Sequence, residues 1–271
     1  MEVLRKFIIF IHNNKNNMNI YKSKIFLISI AVLFFSNHIS QAQIKKFYKV
    51  MDSLNERTKN EITNVKVSTF LRDLKKVLDA DKDNLLILVD KKHSLPKEYT
   101  PTNIITLITN NYYKISRLDL SLSEPAFDAL SNMSKAAKLD GITLLIVSSY
   151  RSYDYQDSLY KRKVKRFGKE YTDRVCAKAG NSQHQLGTVV DIGAVDNSFA
   201  ETKAGKWLLK NASEYGWSLS FPKGYESVTG YTWESWHYRY IGKEAAEFQK
   251  KYFSDVQQFM LEFIDAWKNT N

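Results

Sequence analysis

The amino-acid sequence predicts a single α+β domain in which helices flank a small, mostly antiparallel sheet. Helix and strand signals alternate along the 271 residues, but without the regular βαβ period that a parallel sheet requires. The clearest two elements are adjacent: SEPAFDALSNMSKAAKLDG has the apolar spacing of a helix, and ITLLIVSSY is the apolar, β-branched run of a strand covered on both faces. The chain has no internal repeat and no low-complexity linker, so we expect one core.

The elements follow in order from the N-terminal part of the chain. Residues 44–79 space their apolar side chains as one or two amphipathic helices do. The stretch NLLILVDKKHSLPKEYTP then predicts a strand and an extended loop, in which we interpret His93 as a hydrogen-bonded residue rather than a metal ligand. The next helix has Ser123 as its N-cap, Pro125 in its first turn and Gly141 as its terminator.

The second half of the chain predicts two more helices, a strand and a C-terminal helix. The helices run from about Asp154 to Gly168 and from about Glu201 to Gly216. SWHYRYI predicts the strand, and a C-terminal helix begins at about Lys243. The predicted organisation is an N-terminal helical segment at 43–80, the main domain at 81–253 and a C-terminal helical tail at 254–271.

The first residues predict export. Lys22 and Lys24 precede the apolar run IFLISIAVLFF, which ends in the small-residue pattern SQA, the arrangement of a secretory signal peptide. We place this signal peptide at residues 18–42, with cleavage after Ala42, and interpret residues 1–17 as an upstream extension. The apolar run has about half of the roughly 20 residues that a membrane span needs. A retained anchor is the alternative, but we expect no stable span after cleavage and a location in the periplasm or cell envelope.

Charge and cysteine content narrow the classes of partner. The formal net charge is +11, and a basic surface concentrates anionic partners. For an exported protein these are carboxylate-bearing wall polymers or lipid head groups rather than nucleic acid, for which the sequence has no docking motif. We interpret the densest basic run, residues 160–169, as a solvated helix face. Cys176 is the only cysteine, so no intramolecular disulfide is expected, and we expect a monomer.

Two histidines lie close to carboxylates along the chain. His184 precedes Asp191 by seven residues, a distance of roughly 23 Å if extended. Ligands of one zinc ion have bonds of about 2 Å, so their backbones must lie within roughly 10 Å of each other. The chain must therefore reverse if both side chains bind one ion, and Gly187 is the residue that permits such a turn at least cost.

The second cluster is WESWHYRY, which contains Glu234 and His237. A regular strand would place these two side chains on opposite faces, so a turn near Ser235 is needed to bring them to one site. Two histidines and one aspartate on zinc would leave a fourth position for water, as in catalytic sites, with Glu234 beside the ion as a general base. Either cluster alone is more typical of an ordinary hydrogen-bonded pair. The exposed Arg151 in SSYRS would alone suggest a structural salt bridge. Together with the two clusters it strengthens the hypothesis of a zinc site.

In this order the motifs resemble the zinc D-alanyl-D-alanine carboxypeptidases of the VanY type, which belong to the LAS-type peptidoglycan metallopeptidases. The resemblance covers residues 84–253 and is carried by LLILVDKKHSLPKEYTP, SSYRSYDYQ, SQHQLGTVVDIG, WLLKNASEYGW and ESWHYRYIG. The pattern S-x-H-x-x-G-x-A-x-D of that family is met except at Val189, where alanine is usual. This departure adds two methyl groups but replaces no ligand.

The resemblance implies a role for each matching residue. It implies one zinc ion on His184, Asp191 and His237, with Glu234 as catalytic base and Arg151 facing the scissile carbonyl. Gln156 and Ser182 would bind substrate or shape the site. The implied partner is a peptidoglycan stem peptide, from which the enzyme would remove the terminal D-alanine.

Several alternatives remain open on the sequence alone. The same zinc residues would serve an L,D-carboxypeptidase that acts on tetrapeptides, or a peptidoglycan endopeptidase. A non-catalytic wall-binding protein is disfavoured because all the ligands, Glu234 and Arg151 are present. A nucleic-acid binder is disfavoured by the export signal.

Overall fold

The computed structural model describes residues 39–271. Residues 45–271 form one compact unit. The α-helices of the described part are α1 (Gln41–Ser53), α2 (Glu56–Glu61), α3 (Val67–Ala80), α4 (Glu124–Leu139), α5 (Tyr153–Phe167), α6 (Lys169–Val175), α7 (Lys203–Asn211), α8 (Glu226–Thr229), α9 (Lys243–Tyr252) and α10 (Gln257–Asn269). The strands are β1 (Ile104–Thr106), β2 (Tyr113–Ile115), β3 (Ser121–Ser123), β4 (Leu144–Ser148), β5 (Val189–Ile192), β6 (Trp217–Leu219) and β7 (His237–Tyr240). Short 3-10 helices span Gln183–Leu186, Asn197–Glu201 and Ala212–Tyr215.

The main sheet has five strands in the order β2–β4–β5–β7–β6. β2 and β4 are parallel, and the other three neighbouring pairs are antiparallel. β1 and β3 form a separate antiparallel pair. The predicted fold class, α+β with a small and mostly antiparallel sheet flanked by helices, is confirmed.

Side-chain alternation along β5 and β7 gives the central strands a core face and a second, polar face. Val190 and Ile192 of β5 and Tyr238 of β7 belong to the main hydrophobic core, which also includes buried side chains of α4 and α7. Asp191 and His237 alternate with them and are paired across the two strands. The hydrophobic face therefore anchors the strands whose opposite face carries the polar residues.

A cluster of aromatic side chains joins the terminal helices. Phe70 of α3 has its ring centroid 5.0 to 6.2 Å from those of Phe47, Phe248, Phe253 and Phe263. These rings come from α1, α9, α10 and the residue after α9, and their tilted and edge-on contacts are the favourable ones for aromatic pairs. Residues 44–79, predicted to form one or two amphipathic helices, lie in three: α1, α2 and α3.

The predicted strand in NLLILV is wrong. Residues 84–89 run between helix α3 and the loop that follows without pairing to a neighbouring strand. The carbonyl oxygens of Leu85 and Ile87 instead accept hydrogen bonds from Nη2 of Arg239, at 2.6 and 2.8 Å. This buried guanidinium takes the acceptors that a neighbouring strand would have bound.

Other boundaries differ from the prediction in detail. The sequence did not reveal β1, β2, β3 and β6, because three residues are too few for a periodic signal. The helix predicted from about Glu201 to Gly216 is α7 with a 3-10 helix on each side. The C-terminal helix is two helices, which separate where Ser254 and Asp255 take positive φ angles of 50° and 58°.

The predicted signal peptide falls mainly on residues 18–38, which lie outside the described residues, as does the predicted upstream extension. Within residues 39–271, every helix is too short or too polar to traverse a lipid bilayer.

Candidate metal centre

The register of β5 against β7 places Asp191 directly opposite His237. His184 lies in the 3-10 helix that precedes β5. Gly187 ends this helix with a φ of +73°, a left-handed conformation that glycine adopts without strain. The chain reverses there, as the sequence predicts, and one donor atom from each of the three side chains lies within 4.8 Å of the other two.

The three side chains are buried and converge on one point. Asp191 Oδ2 lies 3.4 Å from His184 Nε2, and Asp191 Oδ1 lies 3.2 Å from His237 Nδ1. The two imidazole rings are nearly perpendicular, with centroids 4.9 Å apart. Asp191 Oδ1 is buried without a hydrogen bond of acceptable geometry, which is costly unless another partner is supplied. Two imidazole nitrogens and a carboxylate oxygen are ligands that zinc prefers, so the donors fit such an ion.

Each histidine presents one nitrogen to the centre because its other nitrogen is engaged elsewhere. His184 Nδ1 lies 2.6 Å from the carbonyl oxygen of Ser149, the residue after β4. His237 Nε2 lies 3.3 Å from Oε1 of Gln183. Acceptors at these positions fix the tautomer that leaves His184 Nε2 and His237 Nδ1 free for a cation.

The local electrostatics keep two of the donors, His184 and Asp191, in the forms that bind a metal. Burial, assisted by the nearby Arg151 charge, lowers the pKa of His184 to about 4, so its imidazole is neutral at pH 7. Burial alone would raise the pKa of Asp191, but its interactions with His184 and His237 hold that pKa well below the usual range. Metal ligands must be neutral imidazoles and ionised carboxylates, and His184 and Asp191 have these forms at pH 7.

Glu234 lies beside the three donors. It precedes the turn at Ser235 and Trp236 that leads into β7, so the predicted turn near Ser235 is present. Its Oε2 lies 3.4 Å from His237 Nδ1. Burial raises the pKa of Glu234 to about 7, and the neighbouring His237 only partly opposes this rise. A carboxyl group with a pKa near neutrality can both accept and return a proton at physiological pH.

Arg151 follows β4 and bridges several parts of the centre. Its Nη2 donates to Asp191 Oδ2 at 2.9 Å and to Ser148 Oγ at 2.9 Å. Nη1 donates to Oε1 of Gln156 at 3.4 Å, and Gln156 is held in turn by the carbonyl oxygen of Ala177, 2.7 Å from its Nε2. Arg151 therefore forms the salt bridge that its motif alone would suggest, and it also lies at the site.

All the sequence-predicted site residues line one cavity of about 290 Å³, including Gln156 and Ser182, which are almost completely buried. His93 does not line this cavity. Its Nδ1 lies 2.8 Å from Asp90 Oδ1, so His93 is a hydrogen-bonded loop residue as predicted. The cavity also contains side chains that the sequence analysis missed. They include Asp90, Lys163, Cys176, Phe221, Tyr231 and Trp236.

One of these missed residues corrects an earlier interpretation. Within the basic run at 160–169, Lys161 and Arg162 are exposed as predicted, but Lys163 is half-buried and lines the cavity. Gln156 and Leu159 of the same helix also line it. The steps of three residues from Gln156 to Leu159 and of four from Leu159 to Lys163 are the periodicity of one helix face. That periodicity is the signal that could have identified Lys163.

The fold and the donor set together define an α+β domain with a buried His–Asp–His group that could hold a metal ion. Comparison with known proteins identifies the family. The family model described as VanY, D-alanyl-D-alanine carboxypeptidase, matches residues 119–243. YodJ of Bacillus subtilis (strain 168), which bears the name of a carboxypeptidase, is 34% identical over 209 residues, covering 73% of this chain and 76% of YodJ. The chain belongs to the VanY family, a family of carboxypeptidases.

Other relatives differ in the activity that their names give. A D-alanyl-D-alanine carboxypeptidase of Enterococcus faecium is 28% identical over 180 residues, with 65% of this chain and 57% of that protein covered. The structure of the LD-carboxypeptidase LdcB aligns with a TM-score of 0.60 and 32% identity, over 69% of this chain and 88% of that one. A variant of the vancomycin-resistance D,D-pentapeptidase VanY in complex with Zn(II) aligns with a TM-score of 0.51 and 27% identity. The alignment covers 62% of this chain and 93% of that one.

Val189, the departure from the family pattern, lies fully buried in β5 opposite Arg239. Its extra methyl groups do not displace the neighbouring donors, whose atoms still lie within 4.8 Å of one another.

Proposed function

We propose that this protein is a zinc-dependent carboxypeptidase that removes the terminal D-alanine from peptidoglycan stem peptides. The observation that carries the proposal is the convergence of His184, Asp191, His237, Glu234 and Arg151 on one cavity. The fit of the donors to zinc, and the Zn(II) complex of a VanY relative, support one zinc ion as the cofactor.

The roles of the residues follow from their positions. A zinc ion on His184, Asp191 and His237 would supply an activated water and polarise the scissile carbonyl. Glu234, with a pKa near 7, takes a proton as general base and returns it to the amino group of the departing D-alanine. Arg151 places its guanidinium next to the centre, where it stabilises negative charge developing on the carbonyl oxygen.

Substrate is held by the residues around these groups. Gln156 accepts a hydrogen bond from Arg151 and donates one to a backbone carbonyl oxygen. This position suits it to hold the guanidinium beside the bound peptide. Ser182 lies two residues before His184 and is 97% buried at the cavity wall. We assign both to substrate binding or to shaping the site.

A second candidate is L,D-carboxypeptidase activity with the same zinc residues. It is favoured by the likeness to LdcB, whose TM-score and identity exceed those of the VanY complex. Defined muropeptides separate the two: conversion of pentapeptide to tetrapeptide indicates D,D activity, and conversion of tetrapeptide to tripeptide indicates L,D activity. If neither peptide loses its terminal D-alanine in the presence of zinc, the proposed function is wrong.

We further propose that the protein acts in the periplasm or cell envelope as a monomer. Residues 81–253 would be the peptidase domain, 43–80 and 254–271 the packed helical segments, and 18–42 a cleaved signal peptide. Intact mass of the exported protein would test the leader, since a mature form that retains residues before Gln43 would contradict it. Sedimentation analysis would test the monomer.

A further inference from the structure

The two histidines of the centre are oriented by different kinds of acceptor. His184 Nδ1 faces a backbone carbonyl oxygen, that of Ser149, whereas His237 Nε2 faces the side-chain oxygen of Gln183. A backbone acceptor is held in place by the chain itself. A side-chain amide can rotate, and it orients a histidine only if its other end is fixed.

Gln257 fixes that other end. Gln183 Nε2 donates to Gln257 Oε1 at 3.2 Å, and Ser220 Oγ donates to the same oxygen at 3.4 Å. Gln183 and Gln257 are 6% and 1% exposed, so bulk solvent has little access to these bonds. Because its amide nitrogen is engaged by Gln257, Gln183 keeps its oxygen turned toward His237.

Gln257 is the first residue of α10, beyond the residues 119–243 that the family model matches. We propose that Gln183 and Gln257 are positioning residues that hold His237 in its metal-binding tautomer and orientation. The C-terminal helix α10 thereby supports the metal centre from outside the family's matched core. This inference depends on the proposed function only in that a zinc ion occupies the three donors.

The test measures zinc affinity, by competition with a chromogenic chelator, for the full-length folded protein. Gln183→Leu and Gln257→Leu should each raise the zinc dissociation constant about 10- to 100-fold, the usual cost of losing an outer partner of a metal-bound histidine. Gln183→Glu keeps an acceptor oxygen facing His237 and should retain affinity within a few-fold. If Gln257→Leu does not fold, Gln257→Asn replaces it in the test. This variant keeps the amide, but its shorter side chain withdraws the amide from Gln183, so the zinc dissociation constant should again rise.

Gln249→Leu is the matched control. Gln249 is 1% exposed and bonds Ser218 and Asp255, with no link to the three donors. The control should lose stability but keep the wild-type zinc dissociation constant. If the Gln183 and Gln257 variants bind zinc as the control does, the positioning role is wrong. If the wild-type protein itself binds no zinc, the proposed function fails first.

A second inference concerns the charge of the cavity. Three basic side chains other than histidine line it: Arg117, Arg151 and Lys163. Arg117 pairs with Asp119 at 2.9 Å and Arg151 with Asp191 at 2.9 Å. Among residues 39–271, Lys163 has no carboxylate at salt-bridge distance. Of the three, Lys163 is therefore the one whose charge is not already paired with a carboxylate of the described residues.

The position of Lys163 is set by α5, whose inner face also presents Gln156 and Leu159 to the cavity. Burial raises the pKa of the Cys176 thiol, and Lys163 is the first of the positive charges that oppose this rise. The ammonium group thus lies near Cys176, which contacts Gln156 at the cavity wall. We infer that Lys163 binds a carboxylate of the stem peptide, an assignment that rests on the proposed function.

Two carboxylates of a stem peptide could be the one bound: the terminal carboxylate, or the side-chain carboxylate of diaminopimelate where that residue replaces lysine. Calorimetry with zinc-loaded Glu234→Ala protein, whose turnover should be greatly slowed, separates them. Lys163→Gln in this background should raise the dissociation constant about 10-fold or more, as expected for a lost charge-assisted hydrogen bond. If Lys163 binds the terminal carboxylate, amidating the terminus should abolish the difference in dissociation constant between the variants with Lys163 and with Gln at this position. If it binds the diaminopimelate carboxylate, replacing diaminopimelate by lysine should abolish that difference.

Lys161→Gln is the control, because Lys161 lies on the same helix but is exposed and pairs with Asp157. It should leave the affinity for all the peptides unchanged. The assignment is wrong if Lys163→Gln changes no dissociation constant, or changes all of them by the same factor. Wild-type protein that neither binds nor cleaves stem peptides would instead reject the proposed function.

Discussion

The raised pKa of Glu234 predicts that this residue destabilises the metal-free protein at neutral and alkaline pH. Burial moves its pKa from 4.5 to about 7, so between these values the folded protein binds a proton that the unfolded chain has released. Stability is therefore fully present below pH 4.5 and falls as the pH rises through 7. The cost of ionising this buried carboxyl amounts to about 3 kcal/mol at pH 8 and under about 1 kcal/mol at pH 5.

The substitution Glu234→Gln removes the ionisation and keeps the shape of the side chain. We expect the metal-free variant to be more stable than the wild type by about 3 kcal/mol at pH 8, with most of this gain lost at pH 5. Urea unfolding at the two pH values, after removal of metal by a chelator, measures it. Glu226→Gln is the control, since Glu226 is exposed and its pKa is lowered by Arg174; this variant should gain no stability at pH 8. Equal free energies of unfolding for wild type and Glu234→Gln at pH 8 would refute the reasoning.

Three further outcomes test the assigned roles. Glu234→Ala should bind zinc but lose about 10²–10⁴-fold in kcat, whereas His237→Ala should also lose the zinc, as measured by metal analysis. Arg151→Ala should lower kcat about 10²–10³-fold with zinc retained; unchanged turnover would exclude it from the reaction. Gly187→Ala should destabilise the fold by about 1–3 kcal/mol in thermal unfolding, because the residue has a φ of +73° and a Cβ atom there would lie 2.8 Å from Pro101 Cγ. A wild-type melting temperature would contradict that account.

The sequence predicted the parts of the site that depend on local spacing. Gly187 indicated the reversal that joins His184 to Asp191, and the spacing of Glu234 from His237 required the turn that the structure has at Ser235. These are constraints within a few residues. They follow from the reach of an extended chain and from the alternation of a strand.

The residues that the sequence did not reveal act across long separations. Gln257 reaches the site only because α10 packs behind it, 74 residues from Gln183 in sequence. The run NLLILV has strand composition but no neighbouring strand, because Arg239 from β7 occupies its carbonyl oxygens. Neither contact leaves a periodic signal in either segment alone, so composition favoured the wrong structure in one case and was silent in the other.

The alternation of side chains between the two faces of a strand explains why one short strand can serve both stability and chemistry. In β7, Tyr238 packs in the hydrophobic core, while His237 and Arg239 on either side of it face the opposite way. His237 reaches the donors of the centre, and Arg239 fixes the segment at Leu85 and Ile87, which leads to the cavity residues Val89 and Asp90. A one-residue change of register would move His237 into the core and Tyr238 into the site. The apolar packing of Tyr238 therefore fixes the position of the metal-binding residue, and a change in that packing would alter the centre without touching a ligand.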